Sequence, residues 1–451
     1  MKLKHIFFSF LLIGSLTACS DFLELTPPNS IGENNFFETP EEVESAVIGV
    51  YSNLQDLTDI AWSIEGIVDD NAYPGNEGFY AEMNTFSFDP FTGLFYEYWR
   101  LSYAAISNAN FVLENMDVLE DESLKNQLQA EVLFLRAYIY HQLVQVYGSA
   151  PLILTPISHD DYGAMKNTPL AEVYAQIIAD LKLAVNQLPA TRPSEEAGRV
   201  TQWAAKGILA KAYLSSGNKQ DAQSTLKDII DNGGFGLMDH YAEIFSVEMN
   251  KEILFAVRYS ASDNEHQTFS YTFSPRGEFG GVMATEDLLN GYEEGDIRKD
   301  ISSGMDSGLR VINKYQSVGI STLQSGVDWV ALRYADILLL YAELANENNP
   351  LDTDAISYLN LVRGRAGLPD LTFSTQQELA DAIAQERRVE LAFENHRWFD
   401  LKRYGNAVET IDAYLKEAGL PSNIKDHHLM FPFPNREINL AEGSLMQNEG
   451  Y

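Results

Sequence analysis

The sequence predicts a mostly α-helical fold in which pairs of helices stack into an array that carries an irregular, loop-rich subdomain. Apolar residues recur at helical spacing in many segments, and several of these segments begin at a capping residue. Two long blocks, residues 58–95 and 234–330, interrupt this pattern with glycine, proline and aromatic residues. The chain is 45% hydrophobic and 12% aromatic, which is enough apolar material for a sizeable core.

The N-terminus has the features of an export signal. Lys2 and Lys4 precede an apolar run over residues 6–16, which is shorter than the roughly 20 residues of a membrane-spanning helix. The small residues before Cys19 resemble the lipobox of bacterial lipoproteins, in which the cysteine is acylated. We therefore predict a signal peptide over residues 1–18 and lipidation at Cys19. Cys19 is the single cysteine, so an intramolecular disulfide is excluded.

The predicted elements follow in order after an extended segment over residues 19–38. The first helix begins at Thr39, because Thr39 as N-cap and Glu42 at the third helical position form a capping box and Pro40 fits the first helical position. Its apolar stripe runs to residue 57. Thr375 and Glu378 give the same signal before the last long helix. Further helices are predicted at about residues 96–117, 123–147, 169–187, 202–215, 219–232, 333–347, 353–366 and 376–404. A strand is predicted over residues 252–258, and an extended tail over 420–451.

The two irregular blocks concentrate aromatic side chains, which makes them candidate binding loops. A sugar ring binds where flat aromatic faces cover its C–H surface and polar groups meet its hydroxyls. The candidate residues are Trp62, Tyr73, Tyr80 and Trp329 as stacking faces, with Asp70 and Asn71 as hydroxyl partners. The alternative for each aromatic is that it anchors the loop onto the helices.

One helix pair carries a repeat signature. Leu209-Ala-Lys-Ala-Tyr213, followed by Gly217 and Ala222, resembles the tetratricopeptide helix–turn–helix, with Ala210 at the position of close helix approach. Weaker versions of the pattern follow Leu135 and Tyr334. The sequence therefore predicts tetratricopeptide-like helix pairs in this region and, from the weaker matches, elsewhere in the chain.

Several stretches in order resemble the SusD/RagB family of nutrient-binding outer-membrane lipoproteins. They are Cys19-Ser-Asp-Phe-Leu-Glu-Leu-Thr-Pro-Pro28, Ala130-Glu-Val-Leu-Phe-Leu-Arg-Ala-Tyr138, Leu332-Arg-Tyr-Ala-Asp-Ile-Leu-Leu-Leu-Tyr-Ala-Glu343, Leu359-Asn-Leu-Val-Arg-Gly-Arg-Ala-Gly-Leu368, Glu386-Arg-Arg-Val-Glu-Leu-Ala-Phe-Glu-Asn-His-Arg-Trp-Phe-Asp-Leu-Lys-Arg403 and Gln447-Asn-Glu-Gly-Tyr451. The resemblance covers the scaffold well and the two irregular blocks poorly.

The resemblance implies one domain over residues 39–451. About four tetratricopeptide-like helix pairs would form the repeats at about 39–57, 96–232 and 333–404, and variable ligand-binding loops would occupy about 58–95 and 234–330. It also implies a lipid anchor in the outer membrane facing outwards, and a SusC-like TonB-dependent transporter as partner. The implied ligand is an oligosaccharide or polysaccharide, or a peptide as in some members.

Composition and motifs argue against several other classes of function. A net charge of −34 excludes a nucleic-acid-binding surface, which needs clustered Lys and Arg. Glu390 and Glu394 suggest the paired carboxylates of a glycosidase, but Arg387 and Arg397 nearby favour a structural ion network on one helix. We predict no enzyme activity, no cofactor and no catalytic metal. A Ca²⁺ site at Asp69–Asn71 with Asn76 and Glu77, and a tetratricopeptide scaffold that binds only protein, remain alternatives.

Overall fold

The computed structural model describes residues 37–451 apart from 75–78, 158–162, 164, 262–264, 274–280, 307–308 and 316–323. Cys19 and the predicted signal peptide lie outside the described residues. The helices of the described residues are α1 (Pro40–Glu65), α2 (Phe79–Asn84), α3 (Gly93–Glu114), α4 (Glu122–Tyr147), α5 (Leu170–Gln187), α6 (Gln202–Ser215), α7 (Lys219–Asn232), α8 (Glu243–Ser246), α9 (Phe269–Thr272), α10 (Glu286–Gly291), α11 (Arg298–Ser302), α12 (Tyr334–Asn348), α13 (Thr353–Arg365), α14 (Gln376–Glu390), α15 (Arg397–Tyr404), α16 (Ala407–Glu417) and α17 (Asn435–Leu440).

The long helices stack one after another, and this arrangement confirms the predicted fold class. Helix α1 packs on α3 and α4, and contacts then run from α4 to α5, α6 and α7 in turn. Helix α7 packs on α12, which in turn packs on α13 and α14. Among the described residues the array therefore contains four packed helix pairs in chain order, α1 with α3, α4 with α5, α6 with α7 and α12 with α13.

Local capping explains where several helices begin. The Thr39 hydroxyl accepts a hydrogen bond from the Glu42 amide at 3.3 Å, and the Glu42 carboxylate accepts one from the Thr39 amide at 2.9 Å. Thr375 and Glu378 form the same reciprocal pair at the start of α14. Both predicted capping boxes are confirmed.

The predicted end of the first helix is wrong. Helix α1 continues to Glu65 rather than ending near residue 57, and it stops only at Gly66. Ala61, Trp62 and Ile64 of the added turns are buried, so tertiary packing extends the helix into what reads as a loop.

The single helix predicted over residues 376–404 is also wrong, because the chain forms α14 and α15 with a break between them. Within the break, Phe393 and Asn395 adopt left-handed backbone with φ of 67° and 58°. Such conformations cost about 1–3 kcal/mol for residues other than glycine. Glu394 between them accepts hydrogen bonds from Arg333 Nε at 2.7 Å and Lys314 Nζ at 2.8 Å. We infer that these buried ion pairs hold the segment out of the helix.

In the part of the chain that the structure describes, three two-stranded antiparallel sheets interrupt the helices. Strand β1 (Ala72–Pro74) pairs with β3 (Val282–Ala284), β2 (Ile253–Val257) with β6 (Trp329–Arg333), and β4 (Ser303–Asp306) with β5 (Leu309–Ile312). The strand predicted over residues 252–258 is confirmed as β2. The β1–β3 pair matters most for the site, because it joins the two irregular blocks.

The C-terminal tail completes the core. Phe431, Phe433 and Leu445 are buried, and the tail contains a 3₁₀ turn at Asp426–Leu429 as well as α17, so it is less extended than predicted. In the repeat region Ala210 is buried as expected. A tighter constraint lies three residues earlier, where a β-carbon added to Gly207 would meet the Leu332 side chain, with Cδ2 at 2.2 Å.

Candidate functional site

The two irregular blocks meet at one small sheet. Tyr73 in β1 lies opposite Met283 in β3, and the Tyr73 hydroxyl contacts the Met283 sulfur at 3.8 Å. Asp59 on α1 reinforces the junction by accepting hydrogen bonds from the Thr268 amide at 2.7 Å and the Phe269 amide at 3.1 Å. We call this junction, formed by Asp59, Trp62, Tyr73, Tyr80, Thr268, Phe273 and Met283, the loop junction.

Trp62 is a buried aromatic residue of the loop junction. Its ring makes edge contacts with Tyr80 at 5.0 Å and Phe273 at 5.4 Å between ring centroids. Its indole Nε1 donates to the Asp59 carbonyl at 2.9 Å, and the residue is 4% exposed. Trp62 is therefore an anchor in this structure, whereas Tyr73 and Tyr80 remain partly exposed.

Asp70 and Asn71, which directly precede β1, are buried and are held by arginines. Arg397 donates to both carboxylate oxygens of Asp70 at 2.7 and 2.8 Å, and Arg388 Nε donates to the Asn71 side-chain oxygen at 2.9 Å. Burial acts to raise the pKa of Asp70, but Arg397 and Arg388 outweigh it and hold this pKa below its ordinary value. These contacts fasten the first block to the C-terminal helices.

Trp329 is also buried. Its ring stacks on Tyr315 with a centroid distance of 5.1 Å and an interplanar angle of 10°, and Phe269 contacts its edge at 5.2 Å. Of the six side chains predicted to contact ligand, Tyr73 and Tyr80 thus keep the exposure that stacking needs. The prediction that any of the six binds ligand is not tested by these contacts and stays a prediction.

Glu390 and Glu394 belong to a buried ion cluster whose members come from several elements. The cluster consists of Glu252, Arg298, Lys314, Arg333, Arg365, Glu386, Glu390 and Glu394. Glu390 accepts from Arg298 Nη1 at 2.9 Å, from Arg333 Nη1 at 2.5 Å and from Arg365. The ion network is present, but its predicted form as a ladder along one helix is wrong.

The expected ladder residues have other partners. Arg387 pairs with Asp400 at 2.9 Å and with Asp336 at 2.8 Å, while Arg397 pairs with Asp70. Burial acts to raise the pKa of Glu390, but Arg365, Arg333 and Arg298 outweigh it and hold this pKa well below its ordinary value. A general acid must carry a proton near neutral pH, so Glu390 does not fit that role.

A cavity of about 310 Å³ lies inside the helical array, among α4, α6 and α15. Polar residues in its wall include His141, Gln145, Lys211, His396, Lys402 and Arg403. Sequence reasoning did not identify them as a site, because they come from segments far apart in the chain, and the stretch that contains His396, Lys402 and Arg403 was interpreted only as part of the scaffold.

Two further observations concern the described residues alone. In that part of the chain, no group of three or more His, Cys, Asp or Glu side chains is arranged to hold a metal ion. Asn76 and Glu77 of the suggested Ca²⁺ site lie outside it, and Asp70 is already bound by two arginines. Across the described helices, none is long and apolar enough to cross a bilayer.

Comparison with known proteins identifies the scaffold. A model described as the SusD family matches residues 308–451, and a model described as starch-binding associating with outer membrane matches residues 21–214. The chain belongs to the SusD/RagB family. The two matched regions leave residues 215–307 between them, which include most of the second irregular block.

Relatives of this SusD/RagB chain share its whole length. A SusD-like protein P2 from Formosa agariphila is 28% identical, and the alignment covers 100% of both chains. A solved laminarin binding SusD-like protein is 24% identical over 92% of this chain and 100% of its own, with a TM-score of 0.80. A solved surface glycan-binding protein A from Bacteroides thetaiotaomicron is 22% identical over 92% of this chain and 100% of its own, with a TM-score of 0.77. At these identities the solved structures establish the fold.

Proposed function

We propose that this SusD/RagB chain captures a glycan at the cell surface and does not cleave it. The observation that carries the ligand class is the whole-length likeness to a laminarin binding SusD-like protein and to a surface glycan-binding protein. The description of the family model, which names starch binding, agrees with it. No observation on the described residues favours a peptide ligand over a glycan.

The proposed location is the loop junction. Tyr73 and Tyr80 are partly exposed there, and the hydroxyl groups of a sugar would find polar neighbours in Asp59 and Thr268. Trp62 and Phe273 support the rings from below. This arrangement combines aromatic faces with hydrogen-bonding groups, which is what a sugar ring requires.

Tyr73→Ala and Tyr80→Ala are each expected to weaken glycan binding roughly two- to tenfold, since an aromatic contact is worth about 0.5–1.5 kcal/mol beyond its burial. The measurement is the affinity for laminarin and for soluble starch by isothermal titration calorimetry, with melting temperatures recorded in parallel. Tyr358→Ala is the matched control, because Tyr358 is a partly buried tyrosine of α13, within the helical array. Unchanged affinity in both loop variants would exclude the loop junction as the site.

We also propose a lipid anchor at Cys19, which the order of lysines, apolar run, small residues and sole cysteine supports. Cys19→Ala is expected to leave the protein unprocessed or to release it from the membrane. Fractionation of cells into membrane and soluble material, followed by mass determination of the N-terminus, measures this. A correctly cleaved Cys19→Ala protein that stays in the membrane fraction would contradict the anchor.

The partner we propose is a SusC-like TonB-dependent transporter, which receives the glycan. Support comes from family membership and from the outer-membrane association named in the family description. The transporter is expected to co-purify with the chain when membranes of the native cells are dissolved in mild detergent and the chain is captured by an affinity tag. Recovery of the chain alone, from membranes in which the transporter is present, would argue against the pairing.

A further inference from the structure

The cavity in the helical array contains a cation that lacks an acidic partner. Lys402 Nζ donates to the Gln145 carbonyl at 2.6 Å, and no carboxylate of the described residues lies within ion-pair distance of it. The Nζ atom of Lys402 lies 5.9 Å from the ring centroid of Trp398 and 5.9 Å from that of Phe399. Lys402 therefore offers positive charge and unused donors to the cavity.

The acids in the cavity wall do not neutralise this amine, because each already has partners. Asp400 binds Arg387 at 2.9 Å and Arg403 at 2.8 Å, and Glu394 binds Arg333 and Lys314. Glu65 accepts from the Tyr98 hydroxyl at 2.8 Å and the Asn395 amide at 3.1 Å. Glu65, the third acid in the cavity wall, therefore accepts hydrogen bonds from neutral donors. Burial lowers the pKa of Lys402 to about 7, as expected for an amine without a counter-ion.

His141 is a second polar group in the wall. Its ring is buried, and its Nε2 makes no hydrogen bond of ordinary geometry, although the Lys211 backbone lies close enough to raise the pKa of the ring against the effect of burial. Burial lowers the pKa of His141 to about 3, so the ring is neutral. The Gln145 amide nitrogen lies 3.1 Å from Nδ1, and this assignment places the ring proton on Nε2.

The cavity thus presents two donors that are at most partly satisfied, the Lys402 amine with one hydrogen bond and the His141 imidazole N–H, in a chain of net charge −34. Unmet donors of this kind fit an acceptor-rich anion, and an amine and a buried N–H bind a carboxylate well. About 310 Å³ is at the lower end of the range for small-molecule pockets, which accommodates a single sugar ring. Gln142 and Tyr174 in the same wall supply an amide and an aromatic group for the rest of the ring.

We propose that this cavity binds the carboxylate of an acidic sugar of the uronic-acid type, with Lys402 as ion partner and His141 as hydrogen-bond donor. The donors of the cavity are the reason for proposing a carboxylate. That this carboxylate belongs to a sugar rests on the proposed function. The site is separate from the loop junction, because its wall comes mainly from α4, α6 and α15.

The test is titration calorimetry of the full-length protein in detergent with sodium D-glucuronate, with D-glucose as the neutral counterpart. Glucuronate is expected to bind, and glucose is not expected to bind.

Lys402→Met should weaken glucuronate binding roughly tenfold or more, because a hydrogen bond to a charged group contributes about that much affinity. Lys402→Arg should retain binding. Lys416→Met removes a surface lysine that pairs with Asp412, and it should leave the affinity unchanged.

His141→Phe provides an independent variant, which keeps ring volume and removes the N–H, and it should also weaken glucuronate binding. Equal affinity for glucose and glucuronate, or full affinity in both Lys402→Met and His141→Phe, would overturn the proposal. Cyclohexanecarboxylate that binds as tightly as glucuronate would overturn its sugar part. Laminarin affinity in Lys402→Met reports on the loop junction separately, so failure of one site is distinguishable from failure of the other.

Discussion

Glu390→Gln is expected to lower the free energy of unfolding by about 3–5 kcal/mol, which is typical when one partner of a buried ion pair is removed. The carboxylate of Glu390 accepts from Arg298, Arg333 and Arg365, and it is fully buried. A neutral amide would leave these guanidinium groups with less negative charge at the same place. Its NH₂ group would also face N–H donors where an acceptor is needed.

The pH dependence of stability gives the same prediction a second readout. Arg365, Arg333 and Arg298 outweigh burial and depress the pKa of Glu390 in the folded state, so Glu390 contributes stability above its ordinary pKa. That contribution is lost as the pH falls through the depressed pKa. The wild type should therefore lose stability on acidification below about pH 4.5, and Glu390→Gln should show a shallower loss over the same range.

Urea unfolding between pH 3 and pH 8 measures both effects. Glu417→Gln is the matched control, since Glu417 is exposed at the end of α16 and should change stability by less than about 0.5 kcal/mol. A Glu390→Gln protein as stable as the wild type would mean that the buried ion cluster does not support the fold. If glycan hydrolysis were detected in the wild type and lost in Glu390→Gln, the proposal of binding without cleavage would fail.

The ends of the helices show how far sequence reasoning reaches. Thr39 and Thr375 begin their helices as predicted, because a capping box is a local signal that needs no tertiary information. The break between α14 and α15 has no such signal, since no glycine or proline lies between Leu391 and His396. It depends on Arg333 and Lys314, which reach Glu394 from more than 60 positions away in the chain.

The candidate site was predicted less well than the scaffold, for a related reason. The sequence predicted that Asp70 and Asn71 are exposed and bind ligand hydroxyls, because these polar residues lie in a segment rich in glycine and aromatic residues. Their partners, Arg388 and Arg397, lie more than 300 positions later, and an ion pair of this separation leaves no local pattern. The meeting of the two irregular blocks could be inferred, because both interrupt the same repeat, whereas the cavity around Lys402 could not.

Trp62→Ala is expected to destabilise the protein by about 3–5 kcal/mol, the usual cost of removing a large aromatic side chain from a core. Trp62 is 4% exposed, and its ring supports both Tyr80 and Phe273. The lost ring would leave a cavity under the loop junction, and Tyr80 would lose one of its packing partners. Laminarin affinity should therefore fall as well, even at a temperature where the variant is folded.

Denaturant unfolding and laminarin titration of the same protein preparations separate these two effects. Trp203→Ala is the matched control, because Trp203 is a mostly buried tryptophan of α6 that packs with Lys206 at 4.3 Å and lies in the helical array. It should lose stability while keeping its affinity for laminarin. Trp62→Phe should recover part of both quantities, since a smaller ring still fills part of the space below Tyr80. If Trp62→Ala keeps wild-type stability but loses laminarin binding, the ring contacts the ligand directly and its assignment as a packing anchor is wrong.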